Sequence, residues 1–217
     1  MRALNIVTGV AAPMMLANVD TDVITPMQRL VNLHNADLGK WAFEPLRFVS
    51  TPPLGQEDEG ERVENPEFVL NQPTWRNAPI LLAGPNFGCG SSRETAVWAL
   101  DQMGFRVVIA ASFGDIFEAN CFQNGVLPIR LPNEQVEQFA ALARQVPTEG
   151  QQFQVDLEQC MITAPDGDKQ KFEVDSWQRE ALLSGRDAIE QTLTRAGAIK
   201  SWQAKDMEQR PWVWKAI

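Results

Sequence analysis

Gly84-Pro85-Asn86-Phe87-Gly88-Cys89-Gly90-Ser91-Ser92-Arg93-Glu94 is the stretch that decides how this chain is read. The apolar run Pro79-Ile80-Leu81-Leu82-Ala83 precedes it, and the apolar-periodic run from Thr95 to Met103 follows. That order predicts a buried strand over 79–83, a glycine loop, and a helix over about 92–103. Backbone N–H groups at a helix start point outward without intrahelical partners, which suits an anion, and an arginine fork suits a carboxylate or phosphate. The local alternative is a Ser-x-x-Glu capping box, with Ser91 as helix cap and Arg93 as a solvated first-turn residue. Two features favour a ligand. An arginine in the first helical turn opposes the helix dipole, and glycines at 84, 88 and 90 let the backbone approach a ligand closely. Gly-Lys-Ser/Thr is missing, so this is not a Walker loop, and Gly-x-Gly-x-x-Gly fails at Arg93, so it is not a Rossmann fingerprint. Carboxylate binding is therefore favoured over phosphate binding.

Working outward, the alternation continues. Strands over 106–111 and 126–131 and helices over 114–123 and 133–145 complete a βαβαβα run, which implies an α/β fold with a parallel or mixed sheet covered by helices. Upstream, residues 3–10 read as a first strand, Asn18-Val19-Asp20-Thr21-Asp22 as a polar turn, and 36–47 as a short helix. The Pro/Gly-containing acidic stretch over about 51–64 reads as a mobile loop within a single domain spanning 1–217. Downstream of Pro147, strands over 153–157, 161–163 and 171–174 alternate with period two as an antiparallel extension. A helix over 175–183 ends near Gly185, and a helical, aromatic extension covers about 187–217.

The chain has 217 residues and a net charge of −9, which disfavours nucleic acid and anionic membranes as partners. No apolar run approaches the roughly 18 residues of a membrane span. The N-terminal segment suits a strand better than a signal peptide, which points to the cytoplasm. Three cysteines, Cys89, Cys121 and Cys160, are too scattered for a disulfide framework or a Cys-x-x-Cys metal site. The single histidine, His34, makes a His-based metal centre or catalytic triad improbable and reads as a surface or loop residue. No metal ligand is assigned. Asp20 and Asp22 read as turn-fixing residues rather than calcium ligands. Cys89 as a thiol nucleophile lacks an evident His or Asn partner. Trp202, Trp212 and Trp214 fit either core packing or docking to another chain.

Asn86 to Glu94 resembles the signature of the swivelling domain of the aconitase superfamily, and within it the small-subunit family of the isopropylmalate isomerases (3-isopropylmalate dehydratases). Ala17 to Asp22, Pro66 to Asn71, Ile80 to Ala83, Ser112 to Phe117 and Asn124 to Ile129 extend the likeness over nearly the whole chain. The resemblance implies a three-layer β/β/α swivelling domain that closes over a separate large subunit carrying a [4Fe–4S] cluster. It implies a hydro-lyase active only as a hetero-oligomer, isomerising 2-isopropylmalate to 3-isopropylmalate in leucine biosynthesis. By carry-over, Ser91 is the base, Ser92 and Arg93 hold a substrate carboxylate, and Asn18, Thr21, Asp22, Thr25, Arg29 and Cys89 shape the cleft. The chain departs from the family pattern at Thr95, where histidine is usual, and at Thr25-Pro26-Met27, where Ile-Pro and a basic residue are usual. Another small hydroxy-diacid, of the methylmalate/citraconate or homoaconitate type, therefore stays open as substrate. A non-catalytic anion-binding or regulatory subunit is a further alternative.

Overall fold

A computed structural model describes residues 1–31, 38–56, 60–145 and 152–214. The expectations for His34 and for 57–59 of the acidic loop fall outside those residues. The predicted first strand is two strands, β1 (Ile6–Gly9) and β2 (Ala11–Met14), which belong to different sheets. The change of sheet falls at Gly9, where a side chain would meet the Pro79 ring at 2.4 Å.

The parallel sheet has the order β2-β5-β6-β7, with β5 at Ile80–Ala83, β6 at Val107–Ala110 and β7 at Leu127–Arg130. Pro13 is tolerated because β2 is an edge strand, where a missing ladder donor costs little. The second sheet is antiparallel, in the order β1-β8-β9-β10, with β8 at Phe153–Asp156, β9 at Met161–Thr163 and β10 at Lys169–Lys171. The last strand therefore lies two residues earlier than its apolar residues suggest. Phe172 is buried as the chain leaves the sheet towards α8 (Ser176–Ser184).

Strand periodicity assigns the layers. In β5 and β6, Leu81, Ala83, Val108 and Ala110 face one core, which they share with Ala96, Val97, Ala99 and Leu100 of α5 (Thr95–Gln102) and with Phe117 and Cys121 of α6 (Asp115–Asn124). Their alternates Ile80, Leu82, Val107 and Ile109 face a second core with Val7, Phe153, Val155 and Ile162 of the antiparallel sheet. Val136, Phe139, Ala140 and Ala143 of α7 (Asn133–Gln145) fill that same core. The result is the expected β/β/α arrangement, in which a parallel sheet that is apolar except for Arg130 at its edge is covered on both faces.

Of the predicted helix over 36–47, the described residues form two single turns, α3 (Leu38–Trp41) and α4 (Glu44–Arg47), broken at Phe43 with φ of 58°, while 36–37 lie outside the described residues. Two further short turns, α1 (Thr21–Ile24) and α2 (Met27–Leu30), precede them. The acidic stretch joins β3 (Phe48–Ser50) to β4 (Val63–Glu64), which pair as a small antiparallel ribbon. After α8 come α9 (Ala188–Leu193) and α10 (Ala196–Gln209), as the sequence suggests.

Gly88 has a φ of +69°, and a Cβ there would lie 2.2 Å from the Phe117 ring. That ring packs edge-on against Phe87 and stacks on Phe113. Gly88→Ala combines left-handed strain with overpacking and is expected to cost about 2–4 kcal/mol. Urea unfolding measures this, and a midpoint equal to that of the unsubstituted chain would contradict it.

Candidate active site

The glycine loop leaves the C-terminal end of β5, the edge at which open α/β sheets bind ligands. Beyond the strand ends the chain keeps pairing in the same lateral order. Gly88 N–H donates to Val19 O at 2.7 Å and Thr21 N–H to Cys89 O at 2.9 Å; on the other side Phe87 N–H donates to Ser112 O at 3.0 Å. Gly114 N–H closes back on Phe87 O at 2.9 Å. Asn18 and Asn86 both adopt left-handed backbone, with φ of 55° and 60°, and their side chains bond at 2.8 Å. Asn18 thus buttresses the loop.

The predicted capping box does not form. Helix α5 begins at Thr95, three residues later than the sequence suggests, and Glu94 caps it without a side-chain bond to the backbone. The Glu94 carboxylate instead accepts from Asn124 Nδ2 at 2.9 Å, and Asn124 also accepts from Trp98 Nε1 at 2.8 Å. Ser91 and Ser92 stand exposed ahead of the helix. Arg93 precedes the first turn, so the argument that it opposes the helix dipole does not apply. What fixes Ser91 is its carbonyl, which accepts from Thr21 Oγ1 at 3.0 Å and from Arg93 N–H at 2.9 Å. Among the described residues its hydroxyl has no hydrogen-bond partner.

Arg93 is held beside it. Its side chain is 11% exposed, Nη2 donates to Asp22 Oδ2 at 2.6 Å, and Nη1 donates to Thr25 O at 3.3 Å. Nε is buried without a partner, as is Thr95 Oγ1. Thr25 is buried and its hydroxyl donates to Thr95 O at 3.4 Å, so the residues at 25 and 95 meet beneath the loop. Thr21 is likewise buried. Cys89 is half-buried and serves through its backbone.

Arg29 is not where the sequence suggests. It is 3% exposed, stacks 4.1 Å over Trp41, and binds both Glu44 oxygens through Nε, at 3.1 and 3.0 Å. Its Nη2 donates to Pro52 O at 2.8 Å and to Thr51 Oγ1 at 3.1 Å. It is a strut under the β3–β4 connection, not an open anion donor. Ser112, whose hydroxyl accepts from Asn86 N–H at 2.8 Å, and Asn124 are the loop-setting residues that local patterns missed.

The hydrogen bond from Arg93 holds the Asp22 carboxyl below its usual value, with burial opposing it and the guanidinium charge reinforcing it. Arg93 is correspondingly raised, first by the hydrogen bond it donates to Asp22. A carboxyl whose folded pKa is depressed stabilises the fold above its unfolded pKa and loses that contribution as pH falls through the folded value. Asp22 is 54% exposed, so the stability effect is small, but the titration is readable. An NMR titration of Asp22 is expected to show a midpoint below 3.8 that rises in Arg93→Gln. An unchanged midpoint would break the proposed pair.

Residues 1–134 match the aconitase C-terminal domain family, and 140–176 match the family LeuD_N. A 3-isopropylmalate dehydratase small subunit from Ruegeria sp. (strain TM1040) is 47% identical over 206 residues, covering 95% of this chain and 96% of its own. That of Hahella chejuensis (strain KCTC 2396) is 45% identical, with both chains fully covered. The chain belongs to the 3-isopropylmalate dehydratase small-subunit family. A solved 3-isopropylmalate dehydratase structure from Methanocaldococcus jannaschii shares the fold with a TM-score of 0.58 at 24% identity, covering 91% of this chain and 99% of that one.

Against that family background the cysteines of this small subunit do not suit an iron–sulfur cluster. Cys121 is fully buried in α6, where burial pushes its thiol well up, and Cys89 and Cys160 lie on other elements. Among the described residues no group of three or more His, Cys, Asp or Glu could hold a metal ion. Among the same residues, no helix is long and apolar enough to cross a membrane.

Proposed function

We propose that this chain is the small subunit of a cytoplasmic 3-isopropylmalate dehydratase, a hydro-lyase that interconverts 2- and 3-isopropylmalate in leucine biosynthesis. It supplies the proton-handling and carboxylate-binding half of a shared site. The observation that carries this reading is Ser91: an exposed hydroxyl on a loop fixed through its carbonyl, with the buried Arg93 fork alongside. As its alkoxide, Ser91 Oγ takes the proton from the carbon next to a substrate carboxylate and becomes the hydroxyl, while hydroxide leaves the neighbouring carbon and a C=C bond forms. Adding water back across that bond in the opposite sense completes the isomerisation. Arg93 and Ser92 orient the carboxylate that acidifies the C–H bond.

A serine hydroxyl is a weak base in open water and needs a dry, positive setting. In the isolated chain Ser91 is exposed and the Arg93 charge is answered by Asp22. A large subunit must close over the loop, exclude water, and bring the metal chemistry that this chain's cysteines cannot support. We place a [4Fe–4S] cluster there, and no step described for this chain runs through it.

The docking surface includes the C-terminal extension. Ile189, Leu193, Trp202 and Trp212 are 71%, 62%, 58% and 68% exposed, an apolar display that single soluble chains rarely leave uncovered. Residues 195–215 hold five basic and two acidic residues, an excess of three positive charges in a chain whose total is −9. Mixing this chain with a cognate large subunit is expected to give isopropylmalate turnover that neither part shows alone. Turnover of only a shorter hydroxy-diacid would overturn the substrate. Deleting 195–217 is expected to weaken subunit association at least about tenfold. Unchanged association would remove the extension from the interface.

A further inference from the structure

Asn124 is the last residue of α6, and its side-chain amide makes three hydrogen bonds. Oδ1 accepts from Trp98 Nε1 at 2.8 Å, while Nδ2 donates to Glu94 Oε1 at 2.9 Å and to Asn120 O at 2.9 Å. An indole N–H can only donate, and a carboxylate and a carbonyl can only accept, so the amide has one orientation. Trp98 packs against the core to which α5 and α6 both contribute, and it stands one helical turn beyond Glu94. Asn124 therefore grips two residues one turn apart and ties the start of α5 to the end of α6.

The Glu94 carboxylate has a nearer use. In a Ser-x-x-Glu capping box the glutamate carboxylate accepts from the serine N–H, and the serine hydroxyl oxygen accepts from the glutamate N–H. The Glu94 backbone is already helical, with φ of −68° and ψ of −29°, so little separates the observed loop from a helix that starts at Ser92. Closing that box would occupy the Ser91 oxygen and set a carboxylate beside it. Both changes work against a base: an oxygen engaged as a cap is not presented to a C–H bond, and a neighbouring negative charge disfavours the alkoxide and repels a substrate carboxylate. Thr21 restrains only the Ser91 carbonyl. The other half of the box, the Glu94 carboxylate, is held by Asn124.

We infer that Asn124 is a positioning residue for the reaction at Ser91: by retaining the Glu94 carboxylate it stops the Ser91–Glu94 box from closing and keeps the Ser91 oxygen clear for substrate. This rests on the reading of Ser91 as the base, so one of its two tests involves no turnover. In the isolated chain, Asn124→Ala should slow hydrogen exchange of the Ser91 N–H at least about threefold, because the released carboxylate accepts from it. In the reconstituted two-subunit enzyme, Asn124→Ala should lower kcat about 10–100-fold. Adding Glu94→Ala should return kcat to within about threefold of Glu94→Ala alone, since no carboxylate is left to close the box. A purely structural role for Asn124, exerted through Trp98 and Asn120, predicts no such rescue. Should Asn124→Ala fail to fold, Asn124→Asp keeps the shape and the acceptor for Trp98 but repels Glu94, and it should show the same loss and the same rescue. Unchanged exchange, undiminished kcat, or a double variant as slow as Asn124→Ala would overturn the inference. Full turnover in Ser91→Ala would instead overturn the catalytic reading beneath it, and the exchange measurement keeps the two failures apart.

Discussion

Ser91→Ala is expected to lower kcat of the reconstituted two-subunit enzyme about 10²–10⁴-fold, the range for loss of a positioned general base. Its effect on folding should be slight. The Ser91 side chain is exposed and caps nothing; the loop is held through the Ser91 carbonyl, which accepts from Thr21 Oγ1 and Arg93 N–H and which alanine keeps. Tm should therefore stay within about 1–2 °C of the unsubstituted chain. KM should also change little, because the proposed carboxylate partners Ser92 and Arg93 remain. Arg93→Gln provides the contrast. It removes a fork already aligned by Asp22 and Thr25 O, so KM should rise together with a fall in kcat. Had the capping box formed, Ser91→Ala would instead cost about 1 kcal/mol of stability. Turnover within threefold of the unsubstituted enzyme would remove Ser91 from the mechanism.

Glu44→Ala is expected to destabilise the chain by about 3–5 kcal/mol, the usual cost of leaving a buried charge without its partner. The Arg29 side chain is 4% exposed and that of Glu44 15%, with Nη2 to Oε1 at 2.6 Å. Arg29 also anchors Thr51 and the Pro52 carbonyl, so losing Glu44 should loosen the start of the β3–β4 connection. Replacing both partners by methionine should recover much of the loss, because the desolvation penalty goes with the charges. Urea unfolding of the two single variants and the double variant measures the coupling. Were Arg29 a substrate ligand, Glu44→Ala would leave stability intact and change KM.

The two cases separate what local pattern can tell from what it cannot. β5 and β6 are legible because continuous apolar runs bounded by turn residues have few other solutions, and α7 because Val136, Phe139, Ala140 and Ala143 recur on one helical face. Gly84, Gly88 and Gly90 mark a close backbone approach, and at Gly88 it is the Phe117 ring, not a ligand, that fills the space a side chain would take. The start of α5 is not legible locally, because a Ser-x-x-Glu pattern weighs only four residues against one another. The real competitors are distant: Thr21 takes the Ser91 carbonyl and Asn124 takes the Glu94 carboxylate.

By itself the sequence determined the α/β alternation, the loop that carries Ser91 and Arg93, and a family likeness. Periodicity and glycine placement are short-range properties, and the likeness rests on residues in order. Only the tertiary structure decided that the chain changes sheet at Gly9, that Arg93 answers to Asp22, and that Arg29 is bound to Glu44. Each of these depends on charges or backbone groups far apart in sequence, and which of them meet is fixed by packing two sheets and their helices around shared cores.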